Sequence, residues 1–79
     1  MEQMTVVGIR RGVEFKTKDG QEIRGTSLYI TQPNDKVVGV FADKLFLSDK
    51  VFIPDDVVPG SEVLVSYNRY GKVAEVVMA

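Results

Sequence analysis

The chain has 79 residues, 44% hydrophobic and 27% charged, with a formal net charge of −1 and neither cysteine nor histidine. That length holds one domain, residues 1–79, which buries only about 60–65% of the surface its unfolded chain exposes. The missing cysteine and histidine exclude disulfides, an ordinary zinc site, and the usual thiol or imidazole of a catalytic centre.

Short runs of β-branched and aromatic residues, broken by turn residues every 8–12 positions, predict an all-β domain. The first strand covers Met4 to Phe15. Val7, Ile9, Val13 and Phe15 share one parity and Val6, Arg10, Glu14 and Lys16 mostly share the other. Gly8 and Gly12, on either side of Arg11, predict a bulge or bend in a long strand. Lys16-Thr17-Lys18-Asp19-Gly20-Gln21 is a hairpin turn, because Asp and Gly tolerate positive φ. A second strand follows from about Glu22 to Thr31, and Gln32-Pro33-Asn34-Asp35-Lys36 is a loop by composition.

Val37 to Ala42 predicts a third strand. Beyond it, Leu45-Phe46-Leu47 and Val51-Phe52-Ile53 fit two short strands about Ser48-Asp49-Lys50, or a helical turn; runs this short do not separate the two. Pro54-Asp55-Asp56 and Pro59-Gly60 bracket a turn region. Ser61 to Tyr67 is the fourth strand, Asn68-Arg69-Tyr70-Gly71 a tight hairpin, and Lys72 to Met78 the last strand. Five mostly antiparallel strands with a long bent first strand predict a small OB-like or SH3-like barrel.

The near-neutral total hides a segregated charge pattern. Residues 10–18 carry Arg10, Arg11, Lys16 and Lys18 against Glu14 alone, a local charge of +3. Residues 43–62 carry Lys44 and Lys50 against Asp43, Asp49, Asp55, Asp56 and Glu62, a local charge of −3. The basic hairpin also carries Arg24 and Tyr29 on its return strand. Cations that neutralise phosphates, beside rings on which bases stack, are what a single strand requires. Arg69, Tyr70 and Lys72 offer the same chemistry at the second hairpin, while Tyr67 shares parity with the core residues Val63 and Val65. The bland alternative is a solvated hairpin whose cations keep an edge strand soluble. Asp55-Asp56 reads as a turn, since adjacent carboxylates on an extended chain point to opposite faces. Phe41, Leu45, Phe46, Leu47, Val51, Phe52 and Ile53 exceed what one small barrel buries easily, so part of them fits a dimer seam.

Phe15-Lys16-Thr17-Lys18-Asp19-Gly20, then Gly25 and Tyr29, then Pro59-Gly60, Ser66-Tyr67 and Gly71, resemble the small single-stranded-DNA-binding (helix-destabilising) proteins of filamentous phages and related mobile elements. The resemblance implies a five-stranded antiparallel OB-like barrel with a protruding hairpin, forming a two-fold dimer. It implies that Lys16, Lys18, Arg24 and Tyr29 line a strand-binding face and that Tyr70 stacks from the second hairpin. The last strand departs from that family in offering only Lys72 and then Glu75, and the isoelectric point is near 5.3.

The resulting expectation is a non-enzymatic protein that binds single-stranded DNA or RNA as a dimer. Arg10, Arg11, Lys16, Lys18, Arg24, Tyr29, Arg69, Tyr70 and Lys72 are its contact residues, and it needs no metal, cofactor or small-molecule substrate. The alternative is a protein-interaction or assembly module of a phage or mobile element. No apolar run approaches the roughly 20 residues of a membrane helix. The first residues also lack a signal peptide's basic and apolar regions, which predicts a cytoplasmic protein.

Overall fold

A computed structural model describes all residues, Met1–Ala79. It contains five strands and no helix: β1 Glu2–Lys16, β2 Glu22–Gln32, β3 Phe41–Ser48, β4 Glu62–Tyr67 and β5 Val73–Met78. They form one antiparallel sheet in the order β3-β2-β1-β4-β5. The sheet is not closed. Its edge strands β3 and β5 approach one another without a hydrogen-bonded ladder between them. No helix is long and apolar enough to cross a membrane.

Two bulges shape β1, each beside a predicted glycine. Val6 pairs with Ile30 but Gly8 with Tyr29, and Arg10 pairs with Ser27 but Val13 with Gly25, so each step inserts one extra residue. Gly12, at the second bulge, has φ +72°, a conformation that a side chain would strain. The first bulge overturns the expected parity of this strand. Met4 and Val6 are buried and Val7 is exposed, but Ile9 pairs with Leu28 and packs against the core, because the extra residue turns Ile9 and Arg10 over until the second bulge restores the original alternation.

The inner face holds the core. Met4 and Val6 of β1, Leu28 and Ile30 of β2, Leu47 of β3, Val63 and Val65 of β4, and Val76 of β5 are all buried. Ile53 and Val57, from the segment that joins β3 to β4, complete it. That segment returns to β1 through two backbone bonds: Gly60 N–H donates to the Val6 carbonyl at 2.7 Å, and Val6 N–H donates to the Ser61 carbonyl at 2.8 Å.

The middle of the chain differs from expectation. The third strand begins at Phe41, not Val37. Residues 33–40 form a loop in which Val37, Val38 and Val40 are exposed, pinned where Asn34 accepts from Lys36 N–H through its side chain and from Val37 N–H through its carbonyl. Leu45-Phe46-Leu47 belongs to this single strand, and Val51-Phe52-Ile53 is neither strand nor helix. Leu47 and Ile53 enter the core while Phe52 stays 77% exposed.

Beyond Gly25↔Ser48 the paired residues of β1 and β2 run on without a neighbouring strand, so the first hairpin protrudes. Its turn is ordered by Thr17, whose hydroxyl bonds Asp19 and accepts from Gln21 N–H at 3.2 Å. That hydroxyl, followed by a backbone N–H, holds the Asp19 carboxyl below its ordinary 3.8.

Candidate nucleic-acid interface

Cross-strand partners share a face, so the register sorts side chains to the two sides of the sheet. On the outer side of β1, β2 and β3, three rows follow one another. Gly8, Tyr29 and Lys44 form the first, Arg10, Ser27 and Phe46 the second, and Val13, Gly25 and Ser48 the third. Phe15 opposite Ile23 ends the series on the protruding hairpin. Thr5, Thr31 and Ala42 lie beyond the first row. None of these paired outer positions is a carboxylate. The inner-side positions of the same strands carry Glu2, Glu14, Glu22 and Asp43, and with them Lys16 and Arg24, so these two expected contact cations lie on the side opposite Arg10 and Tyr29.

Small residues let the rings lie down on this surface. A Cβ at Gly8 would stand 3.4 Å from Tyr29 Cδ2, so the tyrosine lies against the glycine backbone. A Cβ at Gly25 would come within 2.7 Å of Phe46 Cζ and would overlap the Leu47 carbonyl oxygen. Phe46 therefore reaches across β2, and its ring meets Phe15 edge-on with centroids 5.7 Å apart. Tyr29 and Phe15 are 39% and 46% exposed, which leaves ring surface open to solvent.

The nine residues expected at the interface fall into three groups. Arg10 and Tyr29 are diagonal neighbours on the outer face. Arg11, Lys16, Lys18 and Arg24 belong to the first hairpin and its bulge, where Arg24 is engaged with carboxylates. Its Nη2 lies 3.2 Å from Glu22 and 3.4 Å from Glu14, the only two ion pairs in the structure. The hydrogen bond to Glu22 and the two negative charges raise the guanidinium pKa above its usual value. Glu22 is held below its ordinary 4.5, first by its hydrogen bond with Glu14 and then by Arg24. Arg69, Tyr70 and Lys72 form the third group, on the second hairpin, where the Arg69 guanidinium sits 5.1 Å from the centre of the Tyr70 ring.

An open cleft of about 970 Å3 reaches two of these nine residues, Arg24 and Lys72, but neither Arg10 nor Tyr29, and Glu22 and Asp49 are on its wall. It runs between the protruding hairpin, β3 and the second hairpin, and Phe15, Lys44, Phe46, Lys50, Tyr67 and Lys72 line it. Tyr67 pairs with Val73 and is 39% exposed, so it is neither fully in the core nor free. Burial raises its hydroxyl above 10.0, and the charges of Glu2 and Asp43 add to this, so the phenol stays neutral.

Lys44 and Phe46 join the site without having been expected there. Their signal is the alternation in Lys44-Leu45-Phe46-Leu47, in which the leucines face the core. It becomes readable only when residues 41–48 form one strand. No protein-family model matches this chain, and neither the curated proteins nor the solved structures give a match.

Proposed function

We propose that this chain is a non-enzymatic binder of single-stranded DNA and that the outer face of β1–β3 is its contact surface. The observation that carries the reading is the composition of that face: the rings of Phe15, Tyr29 and Phe46, the cations Arg10 and Lys44, and no carboxylate among the paired outer positions of β1–β3, the nearest being Glu62 on β4 opposite Thr5. Neither cation is engaged in an ion pair. Both are free to neutralise phosphates and release counterions, while stacking on the rings tolerates any base.

We read the sheet as an OB-like barrel left open between β3 and β5. In such barrels the face of the second and third strands, flanked by the first and last hairpin loops, takes oligonucleotides. Loops 17–21 and 68–72 hold those flanking positions here, with Lys18 at one and Arg69 and Tyr70 at the other. Arg24 contributes little free charge because Glu14 and Glu22 already hold it.

The test is fluorescence anisotropy of labelled oligo-dT at low salt. Saturable binding that weakens as salt rises, and weakens less steeply in an Arg10→Ala/Lys44→Ala variant, supports the assignment. No anisotropy change at micromolar protein overturns it. The exposed Val37, Val38, Val40 and Phe52 favour a second reading, an assembly module without nucleic-acid binding. That reading gains if DNA fails to bind while sedimentation shows concentration-dependent self-association.

A further inference from the structure

We infer that the outer face carries two separate stacking stations with a phosphate contact between them, so that its ligand unit is a stretch of several unpaired nucleotides. The inference rests on the single-strand reading above and adds a geometry to it. Tyr29 lies over Gly8, in the first outer row. Phe46 springs from the second row but reaches over Gly25, in the third, where it meets Phe15. Tyr29 and the glycine beneath Phe46, Gly25, are four residues apart along β2, or roughly 13 Å. Arg10 stands in the row between them, opposite Ser27.

This spacing selects the ligand. Stacked nucleotides advance about 3.4 Å each, so the two rings cannot take neighbouring bases of a stacked strand. About five stacked nucleotides, or fewer unstacked ones, bridge the stations. Ser27 is buried and small, so nothing on β2 rises between the rings to obstruct the strand. Arg10 then meets the backbone that passes from one station to the other. A mononucleotide or dinucleotide occupies one station only. A longer strand occupies both, and its second contact forms within the same complex, at high effective concentration.

Binding is measured for oligo-dT of one to ten nucleotides, by competition against labelled dT20. The expected result is a step of about ten-fold or more in affinity between dT2 and dT5, followed by a shallower rise. Tyr29→Ala should remove the step. Phe46→Leu should do the same while keeping an apolar cover over Gly25, with circular dichroism and melting confirming that each variant is folded. An affinity that rises smoothly with length in the wild type, or a step unchanged in both variants, overturns the two-station geometry while leaving single-strand binding intact. Failure of dT20 itself to bind overturns the underlying reading instead.

Discussion

The inner and outer faces of β1–β3 are built from alternating residues of the same three strands, yet they differ in nearly every property. The inner face buries Met4, Val6, Leu28, Ile30 and Leu47 and keeps its carboxylates, Glu2, Glu14, Glu22 and Asp43, on positions outside that buried set. The outer face leaves rings and cations in solvent over glycine and serine. A net charge of −1 describes neither side. In a small sheet protein the informative quantity is which charges share a face, and register decides that.

The largest expected contrast is in stability. Leu28→Ala, on the inner face, should cost about 2–5 kcal/mol, because it empties a fully buried position. Tyr29→Ala, one residue away and 39% exposed, should cost less than about 1 kcal/mol. Urea unfolding measures both, and equal losses would break the distinction between the faces. Next in size is Gly25→Ala, at about 1–3 kcal/mol, since the added methyl meets Leu47 backbone and the Phe46 ring together. A Gly8→Ala variant, with only an ordinary 3.4 Å contact to Tyr29, should unfold close to the wild-type midpoint.

The outer face should respond in binding rather than stability. Arg10→Ala/Lys44→Ala should flatten the dependence of log K on log salt by about 1.4, two phosphate contacts at roughly 0.7 each for a single strand. Its unfolding free energy should stay within about 0.5 kcal/mol of the parent. The smallest effect concerns Glu22. Its folded pKa lies below the ordinary 4.5, so the stability it contributes is present above that value and is lost as pH falls through the folded pKa. Glu22→Gln should therefore lower the melting temperature slightly at pH 7, make the acid limb of the curve shallower, and converge with the parent at low pH. A steeper limb would contradict the pairing with Arg24.

Much of this organisation is legible in the sequence, and the failures have physical causes. Asp19-Gly20 and Asn68 to Gly71 announce their hairpins because those turns need particular backbone angles, and Gly20 and Gly71 do adopt positive φ. The glycines flanking Arg11 mark both bulges. The consequence of a bulge is harder to read. One extra residue at Val7 swaps the faces of the stretch up to the second bulge, which swaps them back, and alternation alone does not show where either swap occurs. Val37-Val38-Gly39-Val40 has strand-forming residues but no partner within reach, so propensity misplaces the third strand. That displacement also hides Lys44 and Phe46. Arg24 is visible as a cation, but its neutralisation depends on Glu14 standing opposite it across the ladder, which only the register reveals.

The gap between β3 and β5 sets a timetable for isotope uptake. Along an edge strand, only the amides that point inward are tied to a neighbouring carbonyl, while the others meet water. In deuterium oxide β3 and β5 should thus show fast and slow sites in alternation, whereas Thr5, flanked by partners on both β2 and β4, belongs to the slowest set. The molecule would then loosen from its two margins toward β1, the strand that every other part of the sheet is hung upon.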